Sequence, residues 1–138
     1  MINQLQHLNW MSVLVAFVAY FMLGGMWFTL FFKKPYAISL GKEGQLPAKP
    51  APIFIVGPML CSLVITVASA VLLYALDVSS LVNALEFAVL VGIGFLVANT
   101  VNIAINPNIP RPILYGAISG AYHMVGIIMV SMILVMMK

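Results

Sequence analysis

Few side chains in this sequence could do chemistry, and each stands in a strongly apolar run. His123 lies in the run 112–137, Asn99, Asn102 and Asn106 recur along 87–110, Glu86 stands just before that run, and Trp27 is near the end of the first. An imidazole and a carboxylate are an ordinary pair for acid–base work, and amides and an indole N–H can orient a substrate. Each also has a structural use. His123 can be a neutral imidazole bonded to a neighbouring helix, a contact for a ligand or proton, or a metal or haem ligand. No second His or Cys stands at ligand spacing in the apolar runs, so no metal site and no cofactor is expected. Asn99 and Asn102, one turn apart, can bond helix to helix or line a cavity. Trp27 suits an interfacial aromatic belt or a binding site. Glu86 is turned about 140° from Asn99 on a regular helix, so it reads as a structural or oligomer contact, or as a separate proton or ion site. Ser62, Thr66 and Ser69 share one face and read as bonding back to their own backbone. Cys61 reads as a small core residue, and the ten Met residues as filler.

The elements that position these groups follow from charge. Six basic and three acidic residues among 138 are far below the roughly one quarter of a soluble domain, and they cannot solvate a globule of 15.0 kDa. Residues 1–32, 50–76, 87–110 and 112–137 contain no Asp, Glu, Lys or Arg, and each exceeds the roughly 20 residues that cross a bilayer as a helix. The fold class is therefore an all-α membrane protein, a bundle of four transmembrane helices with short loops, forming one integral membrane domain over 1–138. Helices are expected over about 9–32, 53–76, 81–105 and 113–137, with Ser79 or Ser80 as an N-cap. The stretch from Lys33 to Pro52, broken by Gly41, Gly44, Pro47 and Pro50, reads as loop with at most a short helical turn. Barrel strands would alternate apolar and polar residues, and Val89 to Val97 does not. One cysteine excludes an internal disulfide framework. The first apolar stretch has no basic n-region and no small-x-small cleavage site, so it reads as a retained helix.

Lys33, Lys34, Lys42 and Lys49 in the first loop and Arg111 in the third face Lys138 alone on the other side. By the positive-inside rule, both termini are expected outside the cell (inner) membrane, periplasmic in a Gram-negative host. The net charge of +3 reads as orientation, with lipids as partners and no nucleic acid. Gly116 and Gly120 form a G-x-x-x-G in an apolar helix, and Gly24 and Gly25 mark helix one. Such glycines allow close helix packing, within a chain or in a homo-oligomer.

Asn9-Trp10, Leu23-Gly24-Gly25-Met26-Trp27-Phe28 with Phe31-Phe32-Lys33-Lys34 beyond it, Val97-Ala98-Asn99-Thr100, and Ala121-Tyr122-His123-Met124-Val125 together carry a family resemblance. The chain resembles a small bacterial membrane family catalogued as domain of unknown function number seventeen sixty-one. The resemblance covers nearly the whole chain and implies four membrane spans, with a Gly-x-Trp-aromatic end of helix one and a Tyr-His pair in the last helix. It implies no activity, and it raises the interest of Trp27 and His123. Helix three has Gly92-Ile-Gly94-Phe95 where a Trp would be expected, so no role for that helix carries over.

The favoured function is a non-enzymatic one: binding or permeation of a small molecule or ion, as a homo-oligomer, with Trp27, Asn99, Asn102 and His123 lining one cavity. His123 is expected to be neutral there, because burial disfavours its charged form. The small multidrug exporters have similar length, but their coupling needs an acid deep in helix one, and none is present here. The alternatives are an intramembrane lipid or isoprenoid enzyme using His123 and Glu86, and an accessory subunit packing through its glycine faces.

Overall fold

A computed structural model describes residues 2–45 and 51–138; Pro47, Lys49 and Pro50 of the expected basic loop lie outside the described residues. The described chain is helical, without strands, and four of its helices are long and apolar enough to cross a membrane. These are α1 (Trp10–Phe31), α3 (Ile53–Ala75), α4 (Leu81–Ala104) and α5 (Pro112–Met136), with a short α2 (Lys33–Ser39) between the first two. Local chemistry sets their ends. Asn9 caps α1, its side-chain oxygen accepting from the N–H groups of Met11 and Ser12 at 3.0 and 3.3 Å. Ser80 does the same for α4 through Asn83 N–H at 3.1 Å, and Pro112 opens α5 where a missing N–H costs nothing.

Three features differ from the expectation. Residues Ile2–Gln6 form a 3-10 turn ahead of α1. The beginning of the expected first loop is the helix α2. Pro35 falls in its first turn, where no backbone donor is needed, and Ser39 is fully buried with its carbonyl accepting from Arg111 N–H at 3.3 Å. Two spans also contain π-helical segments, Trp27–Phe31 in α1 and Gly92–Val97 in α4. A π turn inserts one extra residue, and each inserted residue rotates the rest of the helix by about 100° relative to a regular one. Faces read from regular periodicity are therefore unreliable beyond Gly92.

The last span, α5, is the hub and packs on every other span and on α2. Its pairing with α1 is antiparallel and keeps one register along the membrane. At one end Asn9 Nδ2 donates to the Met137 carbonyl at 2.6 Å. In the middle, two Tyr-x-x-x-Gly segments interlock: the Tyr20 ring occupies the space a side chain at Gly126 would take, and the Tyr122 hydroxyl lies 2.9 Å from where a Cβ on Gly24 would stand. At the other end Trp27 Nε1 donates to the Ile118 carbonyl at 3.1 Å. Gly116 and Gly120 are likewise filled from within the chain, by Val101 and Val97 of α4.

The core lies toward the termini, where Val13, Ala16, Ala70, Leu73, Ala84, Phe87, Val130 and Leu134 are buried together. A polar clamp closes this end: Tyr74 Oη accepts from Asn9 N–H at 3.2 Å, and Lys138 Nζ reaches the Val78 carbonyl at 3.1 Å and the Asp77 carboxylate at 3.5 Å. Toward the opposite, basic end the packing loosens. The buried residues of α3 are confined to Ser62 through Leu73, whereas Phe54, Ile55, Val56 and Leu60 are exposed. The helix packs on α1 and α5 but scarcely on α4.

Candidate functional site

Where α3 parts from α4, a cleft of about 660 Å³ opens, lined by all four spans and by Tyr36 of α2. Each helix contributes one face. From α1 come Tyr20, Phe21, Gly24, Gly25, Phe28 and Thr29; from α3, Phe54, Ile55, Pro58, Cys61, Ser62 and Ile65. The face of α4 is Asn99, Thr100 and Ile103, and that of α5 is Tyr115, Ser119, Tyr122 and His123. The α5 set has i, i+4, i+7 and i+8 spacing, a single helical stripe.

Most hydroxyls of the helices are satisfied locally. Ser62 donates to the carbonyls of Pro58 and Met59, Thr66 to Ser62, Ser69 to Ile65, Thr100 to Leu96 and Thr29 to Gly25. These are the backbone bonds that lower the cost of a hydroxyl in hydrocarbon. Three groups around the cleft differ. Ser119 is 5% exposed, and its Oγ has no partner among the described residues. Asn99 makes no side-chain hydrogen bond among the described residues, and it opens onto the cleft. His123 uses only Nδ1, which lies 2.7 Å from Tyr20 Oη.

Tyr20 is fully buried, and its hydroxyl pairs with His123 Nδ1, as donor or acceptor according to the imidazole tautomer. His123 Nε2 makes no hydrogen bond among the described residues and stands one turn from the unpaired Ser119 hydroxyl.

Aromatic rings make much of the remaining wall. Tyr20 and Tyr122 stack at 5.3 Å, Phe28 meets Tyr122 edge-on at 5.2 Å, and Phe28 and Tyr36 lie 4.7 Å apart. Tyr36 also packs near Tyr115 at 5.7 Å. Burial, with the Tyr115 phenol beside it, pushes the Tyr36 hydroxyl up to about 12, so it stays protonated. Among the described residues, the cleft lining includes no Asp, Glu, Lys or Arg.

Of the four residues expected to share a cavity, Asn99 and His123 do so. Trp27 does not: its ring stacks on Phe32 at 4.6 Å and bridges α1 to α5 through its N–H. Asn102 is exposed and off the cleft. The face of α4 runs through 99, 100 and 103, so Asn102 and Asn106 do not continue it. Asn106 instead bonds the carbonyl of Ile103 and the N–H of Asn108. Glu86 is exposed outside the lining, so His123 and Glu86 do not form a pair in this site. Gly25, expected between packed helices, lines the cleft, with nothing within 4 Å of a Cβ built on it. Cys61, read as core, is exposed in the cleft wall. Tyr20, Ser119, Tyr36 and Tyr115 are site residues that sequence reasoning misses. The stripe through 115, 119, 122 and 123 and the paired Tyr-x-x-x-Gly segments are the signals that could have found them.

A family model described as "Protein of unknown function (DUF1761)" matches residues 11–135, and the chain belongs to that family. No curated protein and no solved structure matches it.

Proposed function

We propose that this membrane protein binds a small uncharged molecule in the cleft between α1, α3, α4 and α5, without conducting it across the bilayer. The observation that supports this is the convergence on one cavity of about 660 Å³ of uncharged polar groups with unused hydrogen-bonding capacity among the described residues: the Asn99 amide, the Ser119 hydroxyl and His123 Nε2. That volume is in the range of small-molecule pockets. Binding is favoured over permeation because the cleft is blind. Beyond the Tyr20–His123 contact the bundle is filled by Ala16, Val13, Val130 and Leu134. The enzyme reading is weakened because Glu86 stands apart from His123. Self-association through Gly116 and Gly120 is not favoured, since they already meet Val101 and Val97.

We also place the basic end in the cytoplasm and both termini outside, from Lys33, Lys34, Lys42, Lys49 and Arg111 against Lys138. In a Cys61→Ser background, Gln45→Cys should resist a membrane-impermeant thiol reagent in intact cells, while Ser79→Cys should react. The reverse pattern inverts the orientation.

The binding reading is tested by native mass spectrometry of the purified protein. The wild type should retain a co-purifying small molecule, and Gly25→Phe, which fills open space, should lose it while keeping its melting temperature. Retention by both proteins, or by neither after exposure to a total lipid extract, would sink the reading.

A further inference from the structure

We infer that a second site, a groove on the other side of α5 from the cleft, holds one acyl chain of an anionic phospholipid, with the Arg111 guanidinium on its phosphate. This goes beyond the binding reading above and does not depend on it, because groove and cleft share no lining residue.

The groove, about 520 Å³ in volume, follows the seam between α4 and α5. Its walls are two stripes of i, i+4 spacing. Ile93, Val97, Val101 and Ile105 run along α4 and just past its end, and Ile113, Ala117 and Ala121 run along α5. Beneath them Gly116 and Gly120 let the helices close, since a Cβ at these positions would meet Val101 at 3.4 Å and Val97 at 3.3 Å. Above, Ala117 and Ala121 are exposed and too short to fill the space. A trough is left between the large exposed side chains of Ile93, Ile105 and Ile113.

Length and depth fit one acyl chain. From Pro112 to Met124 the groove is about 18 Å long, close to one leaflet's half of the roughly 30 Å hydrocarbon core. It begins at the basic end and stops near the middle of both helices. There Met124 closes it by packing on Gly92, with Sδ 2.7 Å from where a Cβ would stand. Every residue that lines it is apolar, so the groove takes a hydrocarbon chain and leaves any polar head at the mouth.

The mouth supplies the charge. Residues 106–111 join the two walls in a loop held by Asn106, which bonds the Ile103 carbonyl and the Asn108 N–H, and by Arg111 N–H on the Ser39 carbonyl at 3.3 Å. Arg111 adjoins Pro112 of the groove and is exposed, and its side chain has no ion pair among the described residues. A guanidinium matches a phosphate with two parallel hydrogen bonds. The loops of this end carry, in sequence, Lys33, Lys34, Lys42, Lys49 and Arg111 against Glu43 alone, an excess that favours an anionic head group over a zwitterionic one. A second copy of the chain is the competing occupant. A two-fold partner seated here would bring both Arg111 groups to one end of an interface with no acid in the groove, whereas a phosphate cancels that charge.

The experiment uses the full chain, stripped of lipid in dodecyl maltoside micelles, with palmitoyl-oleoyl phosphatidylglycerol or the matching phosphatidylcholine added and adducts counted by native mass spectrometry. The wild type should hold one phosphatidylglycerol at least about fivefold tighter than phosphatidylcholine. Arg111→Gln should weaken phosphatidylglycerol by about fivefold, the worth of one basic residue at the membrane surface, and remove most of the discrimination. Ala121→Phe, which fills the trough, should weaken both lipids by at least about tenfold with an unchanged melting temperature. Ala117→Leu carries that test if Ala121→Phe lowers the melt. Gly25→Phe, which fills the cleft, should leave the adduct in place. Equal retention by the wild type and the trough-filling variant, or loss of the adduct in Gly25→Phe, overturns the groove as the site. Equal affinity of the wild type for the two lipids overturns the anionic head group. A wild-type dimer that the trough-filling variant converts to a monomer assigns the groove to a second copy and overturns the lipid.

Discussion

The two halves of this bundle are built from similar apolar helices and do opposite things with them. Toward the termini, small residues let the helices close: Ala16, Ala70, Ala84 and Ala88 are fully buried, and Asn9, Tyr74, Asp77 and Lys138 tie three chain segments together. Toward the basic end, large aromatics and a diverging α3 hold the helices apart. Polar groups divide in the same way. In the closed half most are spent on one another or on backbone, the buried Ser131 hydroxyl being an exception, whereas around the cleft Asn99, Ser119 and His123 Nε2 keep unused capacity. The border between the halves is the interlocked pair, Tyr20 over Gly126 and Tyr122 over Gly24. A single polar contact there, Tyr20 to His123, belongs to both: it completes the core on one side and holds the imidazole at the cleft on the other.

The contrast between the halves depends most heavily on this border. A methyl group at Gly126 would land inside the Tyr20 ring, and overpacking of this kind costs about 1–3 kcal/mol. Gly126→Ala should therefore lower the melting temperature strongly, whereas Gly25→Ala in the cleft should change stability by less than about 0.5 kcal/mol. Thermal denaturation of the two purified variants, side by side, checks both. Equal losses would mean that the cleft is packed like the core.

His123→Ala acts on the same border from the other side. It removes the partner of a fully buried tyrosine hydroxyl, which costs about 1–3 kcal/mol. Tyr20→Phe combined with His123→Ala should recover most of that loss without restoring ligand retention. A double variant no more stable than His123→Ala would show that the hydroxyl–imidazole bond is not what the single change broke. His123 is thus not the clean probe of binding that its position in the sequence suggests, because its ring also supports the core.

Asn9→Ala has a smaller effect. It removes an N-cap and the bond to the Met137 carbonyl, together about 1–2 kcal/mol. Asn102→Ala, at an exposed amide off the cleft, should cost almost nothing. Circular-dichroism melts would separate these two asparagines, which look alike in the sequence.

How much of this is legible in the sequence depends on which physical signal each feature leaves. Charge-free runs longer than a bilayer is thick leave little choice but four spanning helices, and Ser62, Thr66 and Ser69 can be read as backbone-bonded from spacing alone. The site is half legible. His123 and Asn99 stand out because an imidazole and an amide are rare in hydrocarbon. Tyr20, Ser119 and Tyr122 are common in membrane helices and declare themselves only through what they touch. Asn102 is misplaced for a geometric reason: on the regular helix Ala98–Ala104 it lies about 60° from Asn99, on the side away from Thr100 and Ile103, and nothing in the local composition says on which side of Asn99 the cleft opens. Trp27 misses the cleft because its N–H is taken by the Ile118 carbonyl, a fact that depends on the register of α1 against α5.

A similarly small change in stability is expected at Asn99, and because that residue faces the cleft it says most about the open half. Its side chain is exposed, faces the cleft and makes no hydrogen bond among the described residues. Asn99→Ala therefore leaves no buried group unpaired and opens no cavity in packed core. Its cost should stay within about 0.5 kcal/mol. If the cleft binds a ligand, the amide is used only when the ligand is present, and its loss should appear in binding alone. The outcome to look for is an unchanged melt without ligand together with a smaller ligand-induced rise in melting temperature than the wild type shows. Ligand-linked stabilisation scales with the logarithm of ligand concentration over its dissociation constant, so a tenfold weaker site loses about 1.4 kcal/mol of that rise at saturating ligand. If Asn99→Ala instead lowers the ligand-free melt as much as Asn9→Ala does, its amide is holding helices together, and the division between a closed and an open half fails at the residue chosen to test it.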